Sequence, residues 1–325
     1  MSVDSDRAPE GVELRRIQPV SELTGMNVIV VYNEKAGTSV SADGPTREAL
    51  QDAFAAAGIT ADVRNVPGDQ IEASLREAVR ERPTVLYAGG GDGTISTAAG
   101  LVAGTNIVLG VLPLGTLNHF ARDLGIPSDW REAVAALVAA PVRAVDVAEV
   151  NGRVFINNCS LGSYADAVRR RDALRREKGH GKWPAMILAS WAVFRELRRM
   201  RLQITTPDTT LTLRTPFVLI ANNQYTGSVL ATSLRPKLDE GRIWLYTTRA
   251  RKHGALIRLA WQSLVRRIDA ADDLEVHSFT HATITVLRGR IPVAADGEIV
   301  NATPPLQLKI KAGALRVLAP PTVTS

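Results

Sequence analysis

Residues 84–100 read Thr84-Val85-Leu86-Tyr87-Ala88, then Gly89-Gly90-Gly91-Asp92-Gly93-Thr94, then a small-residue run from Ile95 to Gly100. An apolar run with β-branched Thr and Val, closed by consecutive glycines, predicts a buried strand meeting a tight turn. The Ala-rich segment behind it can be a helix. Adjacent glycines let the backbone take positive φ and approach a ligand with no Cβ in the way. A glycine loop opening a helix turns unpaired N–H groups outward, where they and the helix dipole favour an anion such as phosphate. Asp92 among those amides would repel a bare phosphate, so it points to Mg²⁺ held on a nucleotide, or to a hydrogen bond accepted from that nucleotide. The same glycines also suit an ordinary strand-to-helix turn. Neither common fingerprint applies: no glycine follows Gly93 at the dinucleotide spacing, and no Gly-Lys-Ser/Thr closes a P-loop. The loop is a third kind of phosphate site.

Two further stretches carry usable groups. In Leu112-Pro113-Leu114-Gly115-Thr116-Leu117-Asn118-His119, Pro and Gly force a turn, and Thr116 and Asn118 supply neutral donors for phosphate or ribose. His119 reads as a polar rim residue or a base. In Ala294-Ala295-Asp296-Gly297-Glu298, two carboxylates flank a glycine on a turn between strands. Such a pair can take a proton from a substrate hydroxyl while its neighbour holds a metal or water; Asp-Gly is equally a common hairpin turn.

These residues need a scaffold, and the chain is long enough for two domains, with 325 residues, 45% of them hydrophobic and 22% charged. The single cysteine, Cys159, allows no intramolecular disulfide and reads as a small core residue of a reducing compartment. The opening segment, with Asp4, Asp6 and Glu10, lacks an apolar signal region and reads as a disordered tail over residues 1–25. The longest apolar candidate, 185–194, stops at Arg195, short of a bilayer span. A net charge of +6 favours anionic partners. Strand patterns at 26–32, 61–66, 84–88 and 106–112 alternate with helical patterns at 45–57 and 71–80, which predicts an N-terminal α/β domain over 26–142 with a parallel sheet. Ligands of such sheets sit beyond the carboxyl ends of the strands, where Asn33 and Asp92 fall. From residue 143 to 320 short alternating runs (144–150, 154–158, 202–213, 217–222, 242–247, 282–287 and 306–310) predict an antiparallel β domain. Helical insertions at 169–201 and 249–267 break it. The first holds eleven Arg or Lys and Trp183 and Trp191, the second Trp261 between basic ends. Such faces suit a membrane interface, or equally a solvated cover on the β domain. No zinc-finger or RNP-like pattern supports nucleic-acid binding.

Together these motifs resemble the catalytic domain of the diacylglycerol kinase family, especially its soluble bacterial lipid-kinase branch, with sphingosine and ceramide kinases as cousins. Gly90-Gly91-Asp92-Gly93-Thr94, Pro113-Leu114-Gly115-Thr116-Leu117-Asn118 with Phe120-Ala121-Arg122, and Asp296-Gly297-Glu298 stand in family order. The resemblance spans Asn27 to about Pro320. It implies an α/β nucleotide domain like that of NAD kinases, a C-terminal β-sandwich, and ATP with Mg²⁺ in the cleft. Nucleotide contacts then fall on Asn33, Asn65, Gly89, Gly90, Gly91, Asp92, Gly93, Thr94, Ile95, Ser96, Thr97 and Thr116. Asp296, Glu298 and Asp92 become the catalytic carboxylates. A structural metal loop matches 237–242, giving Lys237, Asp239, Glu240 and Arg242, with the family's liganding Asp falling at Glu240. The chain also differs elsewhere: Asn-Pro-x-Ser-Gly reads Asn33-Glu34-Lys35-Ala36-Gly37, the Asn-Glu after the glycine motif reads Ser96-Thr97, and Asn-Asp reads Asn118-His119. The expectation is an ATP-dependent kinase of diacylglycerol or a related lipid, cytoplasmic and peripheral at the anionic inner membrane face. A homodimer is admitted. An NAD kinase-like enzyme and a catalytically silent lipid or nucleotide sensor are the rival readings.

Overall fold

A computed structural model describes residues 27–33, 44–162, 199–226, 235–248, 274–287 and 291–321. The tail, the loop 34–37 and nearly all of both basic insertions lie outside these residues. The N-terminal half runs β1 (Val28–Tyr32), α1 (Arg47–Ala56), β2 (Ala61–Asn65), α2 (Ile71–Arg80), β3 (Val85–Gly90), α3 (Asp92–Val102), β4 (Val108–Pro113), α4 (His119–Asp123) and α5 (Trp130–Val138). Strands β1, β3 and β4 are buried at every position, as parallel strands covered on both faces must be. Their order is β2-β1-β3-β4, all parallel. The chain steps from β1 out to β2 and back across to β3, so right-handed crossovers place α1 and α2 on opposite faces. That reversal opens a crevice at the carboxyl ends of β1 and β3, the usual ligand position of this topology.

The C-terminal half contributes β5 (Val142–Val150), β6 (Arg153–Phe155), β7 (Asn158–Gly162), β8 (Met200–Thr205), β9 (Thr210–Thr215), β10 (Phe217–Asn222), β11 (Ile243–Thr248), β12 (Leu274–Phe279), β13 (His281–Val286), β14 (Val293–Ala295), β15 (Glu298–Val300) and β16 (Leu306–Leu318). One sheet, β12-β11-β10-β7-β14-β15, is antiparallel throughout. The strands β16, β13, β8 and β9 instead extend the N-terminal sheet, with β5 and β6 branching from β16. A second core of Ala148, Phe155, Cys159, Leu202, Ile220, Leu245 and Leu308 fills the space between the sheets. Burial pushes the Cys159 thiol far up, which suits a packing residue rather than a nucleophile.

Several strand boundaries differ from the sequence pattern for local reasons. The run 202–213 folds back at Thr206–Thr209, where Pro207-Asp208 makes a turn closed by Thr206 N–H to the Thr209 carbonyl at 2.9 Å. The run 306–310 continues to Leu318 through an irregularity between Lys311 and Leu315, with Gly313 at φ +60°. This longer β16 pairs with β13 at one end and with β4 at the other, through Val317 and Leu109. The last strand therefore belongs to the sheet begun before residue 142, and the two halves share one backbone ladder.

Within that sheet Gly110 of β4 faces the Tyr87 ring of β3, which stacks edge-on against Phe54 at 4.8 Å. A Cβ at position 110 would stand 2.3 Å from the ring. Gly110→Ala is expected to destabilise the protein by about 1–3 kcal/mol, the usual cost of overpacking, read from urea denaturation midpoints. An unchanged midpoint would show that Tyr87 moves aside freely.

Candidate active site

Helix α3 opens where β3 ends, with Gly91 in the N-cap position at φ −81° and the first helical bond running from Ile95 N–H to the Gly91 carbonyl. The N–H groups of the first turn have no partner inside the helix, so they and the dipole make this end an anion site. The glycines serve it differently from the expectation: none of Gly89, Gly90, Gly91 and Gly93 has positive φ. Their requirement is steric. A Cβ on Gly89 would lie 2.6 Å from Tyr32 Cβ, and one on Gly90 2.6 Å from Thr94 Oγ1. Both residues are buried members of β3, not an open phosphate loop. Gly91 is the one with room: its nearest neighbour would be Gly115 Cα at 3.9 Å. Ile95 turns into the core, and Thr97 Oγ1 donates back to the Gly93 carbonyl at 2.9 Å. Asn33 follows β1 and donates its N–H to the Gly89 carbonyl at 3.1 Å, while Asn65 ends β2. Both lie along the crevice.

The second motif packs directly on the first. A Cβ on Gly115 would come within 2.4 Å of Gly91 Cα, so only glycine permits this approach. Asn118 holds the turn: Oδ1 accepts from Gly115 N–H at 3.0 Å, and Nδ2 donates to the carbonyls of Pro113 and Gly115. With those bonds made, Asn118 shapes the loop from inside and leaves Thr116, which is exposed, as its outward hydroxyl. His119 is also exposed, and its backbone N–H donates to Asp92 Oδ1 at 2.8 Å. Asp92 Oδ2 has no partner among the described residues.

The third motif is the hairpin turn that the sequence allowed. Asp296 at φ +47° and Gly297 at φ +83° form a two-residue hairpin turn of the I′ kind between β14 and β15. That turn sends its carboxylates to different places. Asp296 accepts four hydrogen bonds: Oδ1 from Asn157 and Asn158 N–H at 2.8 and 3.1 Å, Oδ2 from Ile156 N–H at 2.9 Å and Ser96 Oγ at 2.5 Å. Burial pushes this carboxyl above the usual range, and the four donors pull it back. Glu298 stays half exposed, with Oε2 paired to Arg153 Nη2 at 2.7 Å. Its Oε1 lies 2.8 Å from where a Cβ on Gly93 would stand, which sets the carboxylate against the first turn of α3. Ser96, where the family usually has Asn, is thus the hydroxyl that joins α3 to the hairpin.

Sequence reasoning missed Arg235. Its side chain is fully buried against Asp123 at the end of α4, with Nη2 2.6 Å and Nε 2.9 Å from Oδ2. The remaining N–H groups reach Asn157 Oδ1 and the carbonyls of Ile156 and Asn222. An arginine between Leu234 and Pro236 is the one available signal, and it names no partner.

The loop 237–242 does not converge as a metal site. Asp239 faces the Arg143 guanidinium at 3.6 Å, while Glu240 Oε2 accepts from Trp244 Nε1 and Gln224 N–H at 3.0 and 2.9 Å. Arg242 turns away to Ser278, and Lys237 adds a further cation to the loop. No group of three His, Cys, Asp or Glu is placed to hold an ion among the described residues. The donor set does not fit a divalent cation. The loop is held instead by buried Asp146, whose two oxygens accept from Gly241 and Gly313 N–H at 2.7 and 2.8 Å.

Removing the Arg235 side chain leaves Asp123 buried and unpaired, so Arg235→Met is expected to cost about 3–5 kcal/mol, measured by denaturant unfolding. A loss below about 1 kcal/mol would mean that water replaces the guanidinium. Gly115→Ala is expected to weaken nucleotide binding through the Gly91 contact, and calorimetric titration with ATP checks it; undiminished affinity would show the two loops separate without consequence.

Comparisons with known proteins agree with this fold. Residues 27–150 match the diacylglycerol kinase catalytic domain, and residues 157–319 match the YegS C-terminal NAD kinase beta sandwich-like domain. A protein of Pseudomonas syringae pv. tomato named "Probable lipid kinase YegS-like" is 36% identical over 138 residues, 41% of this chain and 44% of that protein. The diacylglycerol kinase of Bacillus subtilis is 41% identical over 93 residues, 28% of this chain and 30% of that one. The matches span about half the length of the first curated relatives. A crystal structure of a diacylglycerol kinase from Bacillus anthracis superposes with a TM-score of 0.66 at 17% identity, covering 92% of this chain and 98% of that one, which establishes the shared fold. With an α/β half closed by two glycine loops and a β half that delivers a carboxylate hairpin to them, this chain belongs to the family that joins a diacylglycerol kinase catalytic domain to a YegS C-terminal NAD kinase beta sandwich-like domain.

Proposed function

We propose that the protein is an ATP-dependent kinase that phosphorylates a hydroxyl of a membrane lipid, diacylglycerol or a related glycerolipid. The observation that carries this reading is the position of Glu298, a half-exposed carboxylate held against the first turn of α3 beside Gly93. Phosphates drawn to the N–H groups of that turn lie next to a proton acceptor. Thr116 adds a hydroxyl on the facing loop, and Asn33 and Asn65 line the crevice where the nucleoside would extend. Asp92, whose Oδ2 has no partner among the described residues, is the residue fitted to hold the Mg²⁺ of the nucleotide, which when bound would supply charge neutralisation for the phosphates. Named relatives described as lipid kinases support the acceptor class.

In this reading Glu298 accepts the proton of the lipid hydroxyl as its oxygen bonds to the γ-phosphorus, and the bond from that phosphorus to the β-phosphate oxygen breaks to release ADP. Asp296 takes no part in the proton transfer. Each of its oxygens already accepts two hydrogen bonds, so it holds the hairpin while Glu298 does the chemistry. The net charge of +6 and the basic, Trp-bearing stretches at 169–201 and 249–267 support docking to an anionic membrane face. No helix of the described residues is long and apolar enough to cross a membrane.

The test incubates the protein with radiolabelled ATP, Mg²⁺ and a total lipid extract and separates the products. A labelled lipid is expected; ATP binding with no labelled lipid from any extract would overturn the reading in favour of a sensor. The carboxylates are then told apart by Glu298→Gln and Asp296→Asn. Glu298→Gln is expected to lower kcat by about 10²–10⁴-fold with an unchanged melting temperature. Asp296→Asn sets an amide NH₂ against backbone donors, so it should lower stability by about 1–3 kcal/mol as well as turnover. Wild-type kcat in Glu298→Gln removes the proposed base.

Docking is checked separately by sedimentation with anionic vesicles. Binding should fall as salt rises, each basic residue near the surface contributing about 1 kcal/mol. Equal binding to neutral vesicles refutes the electrostatic part.

A further inference from the structure

The carboxylate of Glu298 sits at the end of α3 that attracts phosphate, so the proposed reaction places two anions side by side. Neighbouring anions repel, and a cation paired with one of them lessens that repulsion. Arg153 is the cation paired with Glu298. It projects from β6, a strand packed on α3 through Val154, whose Cβ stands 3.8 Å from the Cβ position of Gly100, and on the second core through the buried Phe155. Its Nη2 meets Glu298 Oε2 at 2.7 Å, and Glu298 is its sole acidic partner among the described residues. The Arg153 side chain is 46% exposed and makes one ion pair, which leaves further N–H groups for an anion arriving at the helix end. Buried Arg235, by contrast, spends its side chain on Asp123, Asn157 and backbone carbonyls, so it is not available to a nucleotide.

We propose that Arg153 is a positioning residue that screens Glu298, so that this carboxylate and the nucleotide phosphates can share the N-terminal end of α3. The inference rests on the ATP reading given above. It assigns Arg153 a role that depends on Glu298: without Glu298 the screen has little to do. An arginine that simply bound phosphate would matter equally with or without that carboxylate.

The experiment is a double-mutant cycle on ATP affinity, titrated calorimetrically with Mg²⁺ present, for the wild type, Arg153→Gln, Glu298→Gln and the double variant of the full chain. Arg153→Gln is expected to weaken ATP binding by about tenfold, because an unscreened carboxylate then faces the phosphates. Adding Glu298→Gln to it should restore affinity to within about twofold of the wild type. Arg153→Lys, which keeps the charge, should retain most of the binding and covers the case in which Arg153→Gln fails to fold, as judged by its melting curve. Undiminished affinity in Arg153→Gln overturns the inference while leaving the ATP reading intact, and so does an equal loss in both Glu298 backgrounds. A wild type that takes up no ATP sinks the nucleotide reading, and this inference with it.

Discussion

The segment Ile156–Asn158 is gripped from both sides by opposite charges, and the rest of the site depends on that grip. Asp296 takes its three consecutive N–H groups, while Arg235 takes the Ile156 carbonyl and the Asn157 side chain. A peptide dipole aligned between an anion and a cation is stabilised at both ends, and each ion gains partners that offset its loss of water. The arrangement has no slack. Arg235 makes five side-chain hydrogen bonds, matching the donors a guanidinium owns.

Followed outward, these contacts close into a ring. Arg235 leads to Asp123 at the end of α4, and α4 begins at His119, whose N–H meets Asp92 at the start of α3. From α3, Ser96 reaches Asp296, which returns to Ile156–Asn158. Two links cross between the halves, Arg235 to Asp123 and Ser96 to Asp296, and the bond from His119 to Asp92 joins the two glycine loops. A closed hydrogen-bonded ring fixes the dipoles and charges it joins relative to one another. The loop 237–242 follows the same logic, with Asp146 holding by carboxylate what ligands to an ion would otherwise hold.

Much of this was legible in the sequence, and the limits have physical causes. The glycine motif, the Pro-Leu-Gly-Thr turn and the Asp-Gly-Glu hairpin are local, since turn chemistry depends on neighbours in the chain. The parallel sheet and the β half also follow from hydrophobic period. What stayed hidden is pairing over distance: Arg235 with Asp123 across 112 positions, Arg153 with Glu298 across 145. A lone arginine states its charge and not its partner. Of the two reasons the sequence offered for the glycines, positive φ does not hold and close approach does, with protein neighbours; both leave the same letter in a sequence. Only the neighbours decide, here Tyr32, Thr94 and the facing Gly115. The interior role of Asn118 was hidden likewise, since an amide that holds its own turn reads the same as one offered to a ligand.

The hairpin shows why two carboxylates two residues apart need not share a task. At a two-residue turn, Asp296 occupies the first turn position and Glu298 the first strand residue, paired with Ala295. The turn residue faces inward to Ile156–Asn158, where three N–H donors wait, with Ser96 of α3 as the fourth; the strand residue leans across to α3. Hydrogen-bond saturation makes the first a fixed anchor, and the second stays half exposed with a single ion pair. Helix α3 touches both, through Ser96 and through Gly93. Ser96 and Gly93 stand three residues apart on that helix, so the bond that anchors Asp296 also fixes where Glu298 stands against the first turn.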